Sequence, residues 1–193
     1  MIPERQSTYF RLLGMLLYNE PSLKSISMLI NDDPFTELPY AEENEAVLKG
    51  QELMLSWLKS GDAEGLTDEA RSDYTRLFVG PGKVLAPPWG SVYLNHDRLL
   101  FDENTLVVRQ FYERFGMKIK EKYKEPDDHI GIELEFLAHL AEQGEDKAMV
   151  SFAKTLISPW APLWNNDVQK YARTGYYRGL ANMATGGVQE LTA

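Results

Sequence analysis

Three adjacent residues in the second half of the chain, Asp127, Asp128 and His129, could carry chemistry together with Glu133. Residues four apart face the same side of a helix, so His129 and Glu133 can approach one another beside the two aspartates. Because carboxylate and imidazole groups bind metal ions, one interpretation of this set is a metal-dependent hydrolase. The simpler alternative is that Asp127 or Asp128 caps a helix and that His129 is a solvated residue at its end.

A second distinctive segment lies between residues 80 and 90, where most residues stop a helix or form turns. They are Gly80, Pro81, Gly82, Pro87, Pro88 and Gly90. We therefore predict a loop that interrupts the helices on either side. Trp89 offers a large apolar surface in this loop, and the prolines before it would hold it extended at a low ordering cost. Leu77 and Phe78 come just before the loop, where packing in the core is the simpler role.

The composition excludes several classes of protein. The chain of 193 residues has no cysteine, which excludes disulfides, thiolate metal sites, iron–sulfur ligation and cysteine nucleophiles. It carries a net charge of −9 without a cluster of Lys and Arg, so we expect no nucleic-acid partner. The first residues do not form a secretory signal, and no apolar run approaches the roughly 18 residues of a membrane span. We expect a cytoplasmic protein without membrane insertion.

Apolar residues recur at helical spacing along most of the chain, which predicts an all-α, single-domain helical bundle over residues 1–193. The first helix is predicted to begin at a Ser7 cap and to end before Pro21. Residues 91–101 are expected to be extended, and a lysine-rich connector is expected over 118–124. Pro159 is expected in the first turn of a helix. The other predicted helices span 23–30, 47–58, 67–78 (with Thr67 as the cap), 105–115, 130–143, 146–157, 159–171 and 176–185.

Two segments, taken together on this helical background, resemble the TorD/DmsD family of redox-enzyme maturation chaperones, and the DmsD branch most of all. The first segment is YTRLFVGP at residues 74–81, which continues as APPWGSVYL at residues 86–94. The second is EPDDHIG at residues 125–131. A lone Pro-Pro-Trp would be a weak signal, whereas both segments in this order are specific. Tyr74 stands where the family often has tryptophan.

The resemblance implies an all-α chaperone without enzymatic activity and without a cofactor. Such chaperones bind the twin-arginine signal peptide of a molybdopterin-containing reductase of the dimethyl sulfoxide reductase class. They hold it in the cytoplasm for folding and cofactor insertion before export, and the Tat translocase is a second implied partner. A monomer is expected, with a dimer as the alternative. The residues that the family uses for peptide binding correspond here to Leu77, Phe78, Pro88, Trp89, Asp128 and His129.

A twin-arginine peptide offers two guanidinium groups and an apolar stretch, so its receptor needs carboxylates beside an apolar surface. Asp127 and Asp128 could accept paired hydrogen bonds from guanidinium, a geometry that lysine cannot reproduce. Trp89 and Phe78 would contact the apolar stretch. His129 could act as a proton-sensitive release switch, since an unperturbed histidine has a pKa of about 6.5. A purely structural helical adaptor is the remaining alternative.

Overall fold

The computed structural model describes residues 3–95, 103–117 and 125–193, and the regular elements in these ranges are all helices. The all-α fold class predicted from the sequence is confirmed. Two π-helical turns, Thr75–Val79 and Ala153–Ile157, continue the fourth and eighth helices. The helices are α1 (Pro3–Tyr18), α2 (Leu23–Asp32), α3 (Glu45–Leu58), α4 (Ala63–Tyr74), α5 (Gly90–Leu94), α6 (Glu103–Arg114), α7 (Ile130–Glu142), α8 (Asp146–Phe152), α9 (Ala161–Tyr171) and α10 (Gly175–Thr192).

Several helices begin elsewhere than the sequence predicted. Ser7 lies inside α1, where its hydroxyl donates to the Glu4 carbonyl oxygen at 3.2 Å, so it is not the cap. Helix α4 begins after Asp62, whose carboxylate accepts from the Gly65 N–H at 2.8 Å. Thr67 is therefore one turn inside α4. Both errors arise because a polar side chain near a helix start can cap it or bond back to a carbonyl within it.

Three further predictions need correction. Residues 90–94 form the short helix α5 rather than an extended segment. Pro159 precedes α9, whose N-cap is Trp160, and α10 continues past residue 185 to Thr192. The rest of the predicted extended segment, residues 96–101, and the predicted connector at 118–124 lie outside the described residues.

Two helix crossings organise the core, and each is built on a pair of facing glycines. A Cβ atom on Gly14 of α1 would lie 2.7 Å from the Gly131 carbonyl oxygen of α7, and one on Gly131 would lie 2.9 Å from the Gly14 carbonyl oxygen. Gly50 of α3 and Gly179 of α10 face each other in the same way, at 2.7 and 2.8 Å. The absence of side chains lets both pairs of backbones approach closely.

The remaining apolar side chains form one hydrophobic cluster around these crossings. Trp160 and Trp164 are fully buried in it, as are Tyr176 and Phe136. Helix α7 is enclosed on nearly all sides, which explains why its sequence is apolar almost throughout. No helix in the described ranges is both long and apolar enough to cross a membrane.

Candidate functional site

The two distinctive sequence segments meet through their main chains. The Gly90 N–H donates to the Asp128 carbonyl oxygen at 3.0 Å, and the Ile130 N–H donates to the Pro88 carbonyl oxygen at 2.8 Å. These two bonds form an isolated antiparallel bridge that is centred on residues 89 and 129. The glycine- and proline-rich loop is thereby fixed to the start of α7, although the segments are far apart in sequence.

Beside this bridge lies an open pocket with a volume of about 390 Å³. It is bounded by the end of α1, the π-helical turn after α4, the loop before α5 and the segment before α7. Most of its described walls are aromatic or aliphatic, and Glu125 contributes the one acidic side chain among them. The described lining residues are Leu17, Tyr18, Tyr74, Phe78, Val79, Val84, Pro88, Trp89, Glu125 and His129.

The pocket walls are held by contacts between rings. The His129 ring lies edge-on to both Tyr18 and Trp89, with centroid distances of 5.2 and 6.2 Å. Phe78 packs edge-on against Tyr74 at 5.6 Å. Tyr74 is only half-buried, so it serves the pocket wall as well as the packing that supports Phe78. These contacts make a rigid wall of aromatic surface that remains open to solvent.

The side chain of Glu125 is oriented by Trp89. The Trp89 indole N–H donates to Glu125 Oε2 at 3.0 Å. Burial raises the pKa of the Glu125 carboxyl, and the hydrogen bond from Trp89 opposes that shift. Both side chains are half-buried, so the carboxylate and the indole face share the pocket.

Asp127 does not line the pocket. Its side chain is buried and forms an ion pair with Arg109 of α6. The Asp127 carbonyl oxygen also accepts from the Tyr112 hydroxyl at 2.9 Å. The structure thus places Asp127 against α6 rather than on a surface open to a ligand.

Asp128 is fully buried on the other side of the bridge. Its carboxylate accepts from the Ser91 N–H at 2.5 Å and from the Thr105 hydroxyl at 3.0 Å. Burial raises the pKa of Asp128, and these hydrogen bonds oppose the shift. Asp128 therefore ties the start of α5 to α6 and to the start of α7.

His129 caps helix α7, because its Nδ1 accepts from the Gly131 N–H at 3.0 Å. The alternative in which Asp127 or Asp128 is the cap is wrong. A solvated histidine is also wrong, since 5% of His129 is exposed. Burial lowers the pKa of His129 to about 3. The ring is consequently neutral between about pH 5 and 8, which argues against a release switch that titrates near pH 6.5.

Leu77 is fully buried behind the pocket, and its carbonyl oxygen accepts from the Ala86 N–H at 3.1 Å, which closes the loop. Sequence reasoning missed six of the described wall residues, which are Leu17, Tyr18, Tyr74, Val79, Val84 and Glu125. Glu125 stood in one of the two segments, but its type alone gave no reason to choose it. Leu17 and Tyr18 carried no signal, because only the crossing of α1 with α7 brings them here.

The residues proposed for a metal site do not assemble one. Glu133 is fully buried, and the one polar side chain among the described residues that influences its carboxyl as a donor is the Trp160 indole, outside good hydrogen-bond geometry. Burial raises the pKa of Glu133, and the neighbouring charge of Asp128 raises it further. His129 uses Nδ1 to cap α7. Within the described ranges, no group of three or more His, Asp and Glu side chains could hold a metal ion.

Residues 40–166, more than half of the chain, match the nitrate reductase delta subunit family. The chain belongs to this family. It is 30% identical over 178 residues to the Tat proofreading chaperone DmsD of Salmonella typhi, an alignment that covers 90% of this chain and 82% of the relative. It is 28% identical over 198 residues to the chaperone protein TorD of Shewanella sp. (strain ANA-3), covering 98% and 93% of the two chains.

A solved structure shares the fold. The crystal structure of a putative redox enzyme maturation protein from Archaeoglobus fulgidus matches with a TM-score of 0.59 and 20% identity, over 93% of this chain and 91% of that chain. The resemblance to the TorD/DmsD family is confirmed by these relatives. The protein is a chaperone and not an enzyme, so the metal-dependent hydrolase alternative is wrong.

Proposed function

We propose that this chaperone binds the twin-arginine signal peptide of a molybdopterin-containing reductase of the dimethyl sulfoxide reductase class. It acts in the cytoplasm, as a single domain of residues 1–193, and holds the peptide until folding and cofactor insertion are complete. The observation that carries this proposal is the open aromatic pocket at the bridge between the two distinctive segments. The name of the DmsD relative, a Tat proofreading chaperone, supports the same conclusion.

Within this proposal the predicted site residues have two roles. Phe78, Pro88, Trp89 and His129 line the pocket and contact the peptide directly. The aromatic surface suits the apolar stretch of a signal peptide, because each Å² of apolar surface removed from water contributes about 25 cal/mol. The neutral His129 ring adds a flat surface without a charge that would repel arginine.

The other predicted residues are positioning residues. Leu77 closes the loop from below, and Asp127 and Asp128 bind α6 and α5 to the segment that carries His129. Both aspartates are buried, so a peptide reaches neither carboxylate without displacing an internal partner. Loss of either side chain is expected to weaken peptide binding by moving the pocket walls.

Isothermal titration with four peptides tests the proposal. They are the client signal peptide, the same peptide without its apolar stretch, a version with both arginines changed to lysine, and a scrambled version. We expect the apolar truncation to lose more affinity than the lysine change, because lysine keeps the positive charge and loses only the planar fork. A scrambled peptide that binds as tightly as the signal peptide would leave the structural adaptor as the better account.

A variant pair locates the binding surface. Trp89→Ala removes pocket surface, whereas Val150→Ala removes an exposed apolar side chain from α8, which does not line the pocket. We expect Trp89→Ala to lower the affinity about tenfold or more, and Val150→Ala to leave it unchanged. If Val150→Ala lowered the affinity and Trp89→Ala did not, the peptide-binding surface would lie outside the pocket.

A further inference from the structure

We infer that Glu125 receives an arginine side chain of the bound peptide, and that it selects guanidinium in a pocket whose other walls are largely aromatic. The inference rests on the proposed peptide-binding function and names the group that would read one of the two arginines. It reassigns to Glu125 the contact that the sequence alone suggested for Asp127 and Asp128.

The charge of the pocket favours a cationic ligand at Glu125. Glu125 is the acidic residue among the described lining residues, which include neither lysine nor arginine, and His129 beside it is neutral. Glu125 belongs to none of the ion pairs seen between described residues, which join Arg11 to Glu142, Arg71 to Glu20, Arg76 to Asp73 and Arg109 to Asp127. A half-buried carboxylate without a cation favours a ligand that brings one.

Asp127 is a poorer partner than Glu125 for an incoming arginine. The Asp127 carboxylate is buried and already neutralised by Arg109. An incoming guanidinium would have to displace Arg109, and it would find Asp127 outside the pocket. Glu125 needs no such exchange, because the pocket opens directly onto it.

The position of the Glu125 carboxylate beside Trp89 favours a guanidinium ligand. The Trp89 indole N–H donates to Oε2 of Glu125 at 3.0 Å and holds the carboxylate beside the indole. Across the part of the chain that the structure describes, no other donor contacts this carboxylate. Oε1 and the second lone pair of Oε2 are therefore left to accept, so the flat fork of a guanidinium group can donate to both oxygens, a paired geometry that an ammonium group cannot reproduce.

The aromatic rings around Glu125 also favour a guanidinium group. Tyr18, Tyr74 and Trp89 all line the pocket around Glu125. Aromatic faces attract cations, and guanidinium stacks on them more often than ammonium does. The volume of about 390 Å³ falls in the usual range for pockets that bind a small ligand, which accommodates one long side chain and a neighbouring apolar residue.

A double-mutant cycle across the complex tests the inference. Glu125→Gln keeps an oxygen acceptor for the Trp89 N–H and removes the charge. Each arginine of the signal peptide is changed to glutamine in turn, and affinities are measured by isothermal titration. We expect Glu125→Gln to weaken binding of the unchanged peptide about tenfold. One of the two arginine changes should then cost little further affinity in the Glu125→Gln background.

Glu69→Gln is the matched control. Glu69 Oε2 accepts from the Trp57 indole N–H at 3.0 Å, the same contact at the same distance, but neither residue lines the pocket. The Glu69→Gln variant should bind every peptide with the affinity of the wild type. Near-ultraviolet circular dichroism of both variants checks that the tryptophan environments are kept.

The outcomes separate the inference from the function. If the wild type binds the signal peptide but neither arginine change is coupled to Glu125→Gln, the inference is overturned and the proposed function stands. Equal loss of affinity in Glu69→Gln would overturn it as well. If the wild type binds no signal peptide, the proposed function fails and the role of Glu125 falls with it.

Discussion

The crossing of α1 with α7 and the crossing of α3 with α10 use the same device, a pair of facing glycines, but have different neighbours. Beside Gly50 and Gly179 the closest side chains, Met54 and Met183, belong to the buried core. Beside Gly131 the closest residue is Tyr18, which lines the pocket. Close packing of backbones thus stabilises the fold in one place and also sets the shape of a binding surface in the other.

A buried aspartate stands near each crossing and shows the same division. Asp73 accepts from the Arg173 N–H at 2.8 Å and from the Thr174 N–H and hydroxyl, each at 2.9 Å, and so holds the start of α10. Asp128 holds the start of α5 and with it the loop that carries Trp89. Asp73 also forms an ion pair with Arg76, at 2.8 Å. Loss of either aspartate should therefore lower stability, whereas only loss of Asp128 should weaken peptide binding.

The largest expected effect comes from filling the crossings. Gly131→Ala and Gly179→Ala each place a Cβ within 2.8 Å of atoms of the opposite helix, which has no room to move away. Both should lower the free energy of unfolding by about 3 kcal/mol. Denaturant titration measures that loss. Peptide titration of the folded fraction should show weaker binding for Gly131→Ala alone. Equal peptide affinity in the two variants would show that the crossing of α1 with α7 does not set the shape of the pocket.

Removing the buried aspartates should cost somewhat less. Asp128→Ala leaves the Ser91 N–H and the Thr105 hydroxyl without this acceptor, and Asp73→Ala does the same to two N–H groups and the Thr174 hydroxyl. Each change should lower the free energy of unfolding by about 1–3 kcal/mol. Thermal melts and peptide titrations on the same samples compare them. We expect Asp128→Ala to lose more peptide affinity than its stability loss explains, and Asp73→Ala to bind normally once folded. The opposite order would make Asp73 the residue that positions the pocket.

The next effect concerns pH. The folded-state pKa of His129, about 3, lies below its unfolded value of about 6.5, so the unfolded chain binds the proton more tightly. This stability is fully present above pH 6.5 and is lost as the pH falls toward 3, which amounts to up to about 2 kcal/mol between pH 7 and 5. His129→Asn keeps an oxygen that can cap α7 and should remove that part of the pH slope. Denaturant titrations of both proteins at pH 7 and 5 measure it; parallel slopes would contradict the prediction.

The smallest effect should come from the ion pair on the outside of the first crossing. Arg11 of α1 and Glu142 of α7 lie 2.5 Å apart, and both side chains are exposed. An exposed pair contributes about 1 kcal/mol at most. Glu142→Gln should therefore shift the melting temperature little and leave peptide affinity unchanged. A large shift would mean that charge, rather than the glycine contact, holds α1 against α7.

The sequence predicted the helices well and their starts less well. Apolar spacing identifies a buried helix face, whereas the choice between Ser7 and an earlier start, or between Thr67 and Asp62, depends on which polar group finds an N–H to accept from. The wall residues Phe78, Pro88, Trp89 and His129 were predicted from the resemblance of two sequence segments to the TorD/DmsD family.

The role of the acidic residues could not be predicted in the same way. Nothing in the order Glu125, Pro126, Asp127, Asp128 says which carboxylate is buried. That depends on Arg109 and Thr105 of α6 and on the main chain of Ser91, all of which are distant in sequence. The contribution of α1 to the pocket is a tertiary effect of the same kind.

The bridge between the two segments is made by main-chain atoms alone, from Gly90 to Asp128 and from Ile130 to Pro88. The side chains of Trp89 and Glu125 take no part in these main-chain bonds, so either can be exchanged without dismantling the frame that presents it. A lineage of such chaperones can change the residue at position 89 or 125 to suit a new client while the scaffold stays the same. Recognition can diverge on this architecture in single steps, each of which leaves a folded protein.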